Sequence, residues 1–343
     1  MRTCTQCVLP ENFPRISFDE NGVCTYCLAH NNRQADNLAQ KRQAYKDKFE
    51  ALLQTVRGHS VYDAIMCYSG GKDSTYALMI LRKQYGLNML AITMDNGFLP
   101  QQTYVNIRNA TESLDVDHIF LKPRFGLLRQ IFAGCARTNI YPAKTLERAS
   151  TICTSCMAIV KFSVLRFALE KDIPMIAFGW SPGQAPVTSS VVRNTPAMLK
   201  VMQEMVFNPL YQLVGKPIQP YFLEEKHFAN GNFRFPYNIS PLMFLDYNEE
   251  DICWQIAPLG WKKPENTDGS SSNCLLNCFA NMVHKQQFGY HPYIFAMANM
   301  VREGYMSRSA ALAKLYEQEN PEIISAIAEK LGSVPVCQAI GNR

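Results

Sequence analysis

Six consecutive residues, Ser69-Gly70-Gly71-Lys72-Asp73-Ser74, have types suited to holding phosphate. Gly70 and Gly71 lack Cβ, so their amides can approach anionic oxygens closely. Lys72 adds a full positive charge, and Ser69 and Ser74 add hydroxyl donors. Asp73 is of a type that caps a helix or helps place Mg2+. Just before the string, Asp63 to Tyr68 is a short, mostly apolar run that reads as a buried parallel strand. Just after it, Ser74 to Tyr85 reads as a helix with Leu78, Leu81 and Tyr85 on one face and Gly86 as its stop. A helix starting near Lys72 aims its unpaired N–H groups and positive dipole end at a bound anion. The string lacks the GxxxxGK[ST] spacing of a Walker A loop.

Cysteines form the second chemical pattern. The chain of 343 residues has 12, and six lie in CxxC pairs. Cys4/Cys7 and Cys24/Cys27, with 16 residues between the pairs, have zinc-ribbon spacing. Four thiolates would close the shell of a structural Zn2+, and Pro10, Pro14, Asn21 and Gly22 suit the turn between the two knuckles. Cys153 and Cys156 stand just before a predicted helix, and Cys274 follows a polar loop far along the chain. Three such thiolates suit a [4Fe-4S] cluster with one iron left open. With Cys278 they suit a second zinc site, as a pair they suit persulfide chemistry, and unligated they are buried thiols. Cys67, Cys135, Cys253 and Cys337 read as small buried hydrophobes.

These groups need a frame, and the chain supplies an alternating one. Strands are predicted at Asp63–Tyr68, Asn88–Met94, His118–Leu121 and Pro174–Phe178. Helices are predicted at Ser74–Tyr85, Gln101–Leu114, Phe125–Ala136 and Met157–Glu170. This is the pattern of an α/β fold with a doubly wound parallel sheet. Four regions are expected: a Cys4 zinc-ribbon module at 1–30, an exposed linker helix at 31–58, a nucleotide-binding domain at 59–256 and a C-terminal helical region at 257–343. Residues 180–238 read as a substrate-covering insertion. Helices are also expected at Glu249–Ile256, Ser307–Glu317 and Pro321–Leu331. Net charge is +5, a mild basic bias that fits an anionic ligand such as ATP and permits RNA. The N-terminus has no apolar signal region and no stretch of about 18 apolar residues is apparent, so a cytoplasmic protein with no membrane span is expected.

The SGGKDS string resembles the PP-loop, SGGxDS, of the N-type ATP pyrophosphatases, matching at every position and directly after a strand. That resemblance implies an adenine nucleotide α-hydrolase-like fold, cleavage of ATP between its α and β phosphates, and AMP carried on a substrate carbonyl oxygen until a nucleophile displaces it. It implies that Thr93, Met94 and Asp95, at the end of the second strand, line the adenine site and that Gly179, after the fourth, lies beside the nucleotide. Lys72 and Asp73 would then be catalytic, with Lys122 and Arg124 as further cations.

Two narrower resemblances point to different second steps. CxxCVLP, FPRISFDENGVC and CTYC in the first thirty residues are similar to the N-terminus of the N-acetyl sugar amidotransferases of surface-polysaccharide biosynthesis. FGYHPY and MVREGYMSRSAAL near the end extend that likeness. It implies a sugar-nucleotide substrate and ammonia from a glutaminase partner. CTSC, then a helix, PMIAFG, ISPLMFLDYNEEDI and Cys274 are similar in order to the PP-loop tRNA thiolation enzymes. That likeness implies a [4Fe-4S] cluster on Cys153, Cys156 and Cys274, with Cys153 and Cys156 in catalysis, an RNA substrate and a sulfur-donor protein. In those enzymes the Gly is followed by a GHxxxD-like string, whereas here WSPGQ follows Gly179.

The favoured expectation is an ATP-dependent transferase that adenylylates a carbonyl and then transfers sulfur. Amidotransfer is the alternative, and a non-catalytic nucleotide-binding module is a third. RNA, a sugar nucleotide and a small heterocycle all stay open as substrates, and a homodimer through the C-terminal helices is compatible. His118, His284 and His291 read as surface or hydrogen-bonded residues, Asp246, Glu249 and Glu250 as helix-start acids, and Asn273 and Asn277 as neighbours of Cys274.

Overall fold

The computed structural model describes residues 2–31, 36–229, 233–268, 271 and 273–332. Its centre is a six-stranded sheet in the order β3-β2-β1-β4-β6-β5. The strands are β1 (Ala64–Cys67), β2 (Met89–Met94), β3 (Asp117–Leu121), β4 (Met175–Phe178), β5 (Val191–Arg193) and β6 (Tyr237–Ile239). All neighbours pair in parallel except β5 with β6. This is the expected doubly wound α/β architecture. The four predicted strands are β1 to β4, and β5 and β6 are three-residue additions from the segment read as an insertion.

Helices cover both faces. They are α1 (Thr25–Asn31), α2 (Asp36–Val56), α3 (Lys72–Met79), α4 (Gln101–Leu114), α5 (Phe125–Arg137), α6 (Ala143–Leu146), α7 (Thr151–Glu170) and α8 (Pro196–Val214). They continue with α9 (Glu225–Phe228), α10 (Glu249–Ile256), α11 (Leu276–Phe288), α12 (Ile294–Arg302), α13 (Arg308–Leu315) and α14 (Pro321–Lys330). One face of the sheet, with Ile65, Ile92, Met94 and Ile176, packs against α5, α7, α8, α11 and α14. The other, with Ala64, Met66, Ala91 and Ala177, packs against α2, α3, α4 and α10. Strands buried on both faces read as apolar runs, which is why β1, β2 and β4 were visible in the sequence.

Four expectations are corrected. The helix that follows β1 and the two glycines starts at Lys72 rather than Ser74, and continues as a π-helical turn over Ile80–Gln84. Cys153 and Cys156 lie inside α7, not before it, because the Ser150 hydroxyl accepts from the Cys153 amide and starts the helix at Thr151. The linker helix is not wholly exposed: Phe49, Leu52, Leu53 and Val56 of α2 are buried against the sheet layer. Finally, α7 has the length and mean hydropathy, 1.7, of a membrane span. It lies against α5, α8, α11 and β1, so burial on several sides accounts for its composition.

The N-terminal module and the segment from Tyr290 to Leu315 form a third body. Val8, Leu9, Phe13 and Val23 pack with Tyr290, Ile294, Met297, Ala311 and Leu315. Arg308 of α13 donates from Nε to the carbonyls of Cys4 and Cys7, at 3.1 and 2.9 Å.

Candidate functional site

The sheet's winding reverses at β1, with β2 and β3 on one side and β4 and β6 on the other. In an open α/β sheet the ligand crevice lies outside the carboxyl ends of the strands at such a switch point. The Ser69–Ser74 string sits there, directly after β1. Gly70 has φ +73°, and a Cβ on it would come within 2.7 Å of Ile107. Thus only glycine lets the turn press onto α4. Serine hydroxyls brace the turn from inside: Ser69 Oγ lies 2.9 Å from Ser74 Oγ and accepts from the Gly71 amide at 3.3 Å. From outside, Trp261 Nε1 donates to the Gly70 carbonyl at 3.1 Å. The residue preceding α3 is Gly71, and no side chain caps the helix there.

Lys72 Nζ donates to Asp73 Oδ1 at 2.6 Å and to Tyr247 OH at 2.9 Å, and Tyr247 OH donates to the same carboxylate at 3.0 Å. Burial alone would lower the Lys72 ammonium, but Asp73, Tyr247 and Glu249 hold it well above the ordinary lysine value. Gly179 follows β4 and presses on the string from behind. A Cβ there would lie 2.5 Å from Ser74 Cα and 2.6 Å from Ser74 N.

The β2 end is organised by its own side chains. Thr93 is buried, with Oγ1 2.8 Å from His118 Nε2, and burial pushes that imidazole down to about 4. Met94 faces the apolar core. Asp95 accepts from the Gly97 amide at 2.8 Å and pairs with Lys122 at 3.0 Å. Burial opposes its ionisation, but Gly97, Lys122 and Tyr104 hold the carboxyl below its usual range. Arg124 precedes α5 as its N-cap residue.

Asn96, buried beside Asp95, joins this strand end to the cysteines. Its Nδ2 donates to Cys274 Sγ at 3.3 Å and to Cys156 Sγ at 3.7 Å. Cys153, one helical turn before Cys156, shares its face of α7. Burial pushes the Cys153 thiol up to about 12, with Cys274 and Asp268 adding to the rise. Burial also raises Cys156 and Cys274. Cys274 adjoins the Ser69–Ser74 string: its neighbour Asn273 sets its Oδ1 3.3 Å from where a Gly71 Cβ would stand. Cys278 points elsewhere, toward the Asn266 carbonyl at 3.8 Å.

The second cysteine group is compact. The sulfurs of Cys4, Cys7, Cys24 and Cys27 all lie within 4.8 Å of one another, with Cys4–Cys27 at 3.8 Å and Cys7–Cys24 at 3.7 Å. Zinc–sulfur bonds of about 2.3 Å in a tetrahedron put sulfurs about 3.8 Å apart, so the four fit a zinc ribbon. Hydrogen bonds from Cys27 and Cys7 pull the Cys24 thiol down, toward the thiolate that a metal requires. Among the described residues no other group of Cys, His, Asp and Glu donors is as tight.

Sequence reasoning missed Asn96, Tyr247 and Trp261. Their side chains reach the site from distant segments, and only the Asp95-Asn96-Gly97 turn after a strand carried a local signal. His284 departs from its expected role: it is buried in α11, with neither ring nitrogen hydrogen-bonded among the described residues. His291 is also buried, and its Nδ1 accepts from the Tyr293 amide. Glu249 and Glu250 lie in the first turn of α10, where the helix dipole favours acids, but neither is the cap. Asn248 is, while Glu249 pairs with Lys314 and Asp246 with Arg42. Cys67 and Cys253 are half-buried, Cys135 is buried and Cys337 lies outside the described residues.

No protein-family model matches the sequence. An uncharacterized protein of Methanocaldococcus jannaschii is 22% identical over 329 residues, spanning 96% of this chain and 97% of its own. Among solved structures, the U34-tRNA thiolase NcsA from Methanococcus maripaludis, with its [4Fe-4S] cluster, is 16% identical at a TM-score of 0.36, covering 95% of this chain and 96% of its own. An NMN synthetase from Francisella tularensis is 10% identical at 0.36, covering 89% and 95%. A predicted subunit of tRNA methyltransferase from M. jannaschii is 17% identical at 0.30, covering 57% and 75%.

Proposed function

We propose that the chain is an ATP-dependent transferase that adenylylates a substrate carbonyl and then replaces the oxygen with sulfur. One observation carries this reading: Cys156 and Cys274, from two distant segments, meet at Asn96 beside the phosphate-binding string, with Cys153 one helical turn from Cys156. A ring or amide carbonyl is a poor electrophile because its oxygen leaves badly. In the first step the carbonyl oxygen bonds to the α-phosphorus of ATP, and pyrophosphate leaves with the electron pair of the broken P–O bond. Ser69 to Ser74 offer loop amides, hydroxyls and the Lys72 charge to the phosphates, with Mg2+ as a further counter-charge. In the second step a sulfur nucleophile at the level of sulfide attacks the activated carbon. The C–S bond forms, the C–O bond breaks and AMP departs with its pair, so no reductant is needed.

Cys153, Cys156 and Cys274 are the residues that would hold a [4Fe-4S] cluster. Each thiolate of a cubane binds its own iron, which suits three converging thiols that do not close around a single ion. Such a cluster supplies one iron without a protein ligand, on which sulfur can be carried. The chain's own contribution is to shelter the trio, to orient two of its sulfurs through Asn96 and to keep it beside the nucleotide.

A second reading, amidotransfer to an N-acetyl sugar, draws on a separate observation. The N-terminal module and the Tyr290 to Leu315 region, which carry that resemblance, are packed together as one body. Anaerobic purification followed by an AMP-release assay tests the choice. Sulfur transfer predicts a brown protein whose visible absorbance bleaches on reduction, and AMP release that requires bulk tRNA and hydrosulfide. A colourless protein that releases AMP only with a nucleotide-linked N-acetyl sugar and ammonium would overturn it.

A further inference from the structure

Among the described residues, Lys161 stands at the switch point with no carboxylate partner. Lys161 extends from α7 across the paired ends of β1 and β4, where Cys67 and Phe178 are register partners. Its Nζ lies 4.2 Å from the ring centroid of Trp180 and 5.9 Å from that of Phe178. Those two rings stack on each other at 4.9 Å. Trp180 directly follows Gly179, whose Cα rests on the main chain of Asp73 and Ser74. Hence the ammonium lies against the residue that follows Gly179, next to the segment that packs on the phosphate-binding string.

The neighbouring cations are already engaged. Asp73 and Tyr247 hold Lys72, and Asp95 holds Lys122. No carboxylate pairs with Lys161 among the described residues, and the titratable group that acts on it is the Cys67 thiol. Desolvating an ammonium costs several kcal/mol, whereas a cation–π contact returns about 0.5–2 kcal/mol. Burial accordingly pulls Lys161 down to about 8. An anion arriving in the crevice would restore the balance, in an apolar surround where the attraction is strong.

We propose that Lys161 is a catalytic residue that takes the α-phosphate of the nucleotide, and then the phosphate of the adenylylated substrate. This rests on the adenylylation reading above. In the first step Lys161 neutralises the non-bridging oxygens of the α-phosphorus as the bond to the substrate oxygen forms and that to pyrophosphate breaks. In the second it holds the same phosphate as AMP leaves.

Calorimetric titration of Lys161→Met and Lys161→Arg with AMP, adenosine and Mg-ATP tests this. AMP carries the α-phosphate and adenosine lacks it, so their ratio isolates that contact. The wild type is expected to bind AMP more tightly than adenosine. Lys161→Met is expected to lose about 10- to 100-fold in AMP affinity, the size of a charge-assisted contact, with adenosine unchanged. Lys161→Arg is expected to recover most of the loss. Removing an unpaired charge from an apolar wall does not weaken the fold, so Lys161→Met is expected to melt at or above the wild-type temperature. Equal AMP affinity in wild type and Lys161→Met, with adenosine still weaker, would overturn the role of Lys161 and leave adenylylation standing. A wild-type protein that binds neither AMP nor Mg-ATP would overturn the adenylylation reading itself.

Discussion

Replacing Gly179 by alanine tests whether the string after β1 is a shaped anion cradle. The added methyl would stand 2.5 Å from Ser74 Cα, 2.6 Å from Ser74 N and 3.0 Å from the Asp73 carbonyl carbon. Ordinary carbon contacts begin at about 3.5 Å, so something must yield by about 1 Å. All three atoms are main chain, so no side-chain rotation relieves the clash. Nor can the turn deform freely, since Ser74 Oγ is tied to Ser69 Oγ at 2.9 Å and to the Gly71 carbonyl at 3.0 Å. Such overpacking costs about 1–3 kcal/mol of stability. A displacement of about 1 Å in a positioning element costs on the order of 100-fold in function. Gly179→Ala is therefore expected to unfold at lower urea concentration and to bind Mg-ATP about 100-fold more weakly by calorimetry. Gly126→Ala is the control: a Cβ there meets nothing within 4 Å, and alanine in α5 is expected to stabilise the fold by up to about 1 kcal/mol. Unchanged Mg-ATP affinity in Gly179→Ala would refute the cradle.

The other predictions reach the rest of the molecule. Cys4→Ser is expected to abolish zinc retention, measured by elemental analysis, and to expose α12 and α13 to protease, because structural zinc contributes about 10–16 kcal/mol to folding in comparable modules. Trp261→Phe removes the donor to the Gly70 carbonyl, and Mg-ATP affinity is expected to fall about 5- to 10-fold, the value of one buried hydrogen bond. Burial and the nearby His291 push His284 down to about 3, so it stays neutral in the fold while the unfolded chain takes up a proton below about pH 6.5. Stability is then present above that pH and declines as pH falls toward 3, by about 1.4 kcal/mol per pH unit from this group. His284→Leu is expected to remove about 2 kcal/mol of the loss between pH 6.5 and pH 5, read from urea unfolding at the two values. Equal acid sensitivity in the two proteins would count against it.

The β1–turn–α3 unit was legible because its parts are contiguous: an apolar run, two glycines and a helix start follow one another. The Cys4 module was legible for the same reason, its two CxxC knuckles bringing four sulfurs together. The start of α7 was not. Thr151, Ile152, Cys153 and Thr154 have modest helix propensity, and the Ser150 cap with burial against the core overrides it. β5 and β6 were hidden because three residues in a segment rich in Pro and Gly carry too little periodicity. His284 and Asn281 sit at core positions of α11 with no hydrogen-bond partner among the described residues. An apolar pattern cannot announce that.

The site gains its coherence from α4 and the segment before α11, not from the strands alone. Thr103 and Ile107 of α4 form the surface on which Gly70 rests. The same Thr103 donates from Oγ1 to the Asn273 carbonyl at 3.3 Å. Asn273 in turn lies against Gly71, and its neighbour Cys274 accepts from Asn96. The Leu275 amide donates to the Phe98 carbonyl at 3.0 Å, closing the path back to the β2 end. The turn and Cys274 therefore share one set of supports. Any displacement of the turn must be accommodated by α4 or by Asn273, and Asn273 is bonded directly to Cys274. That continuity gives a physical reason for a cysteine so far along the chain to belong with the pair on α7: its segment is already part of the wall that shapes the turn after β1.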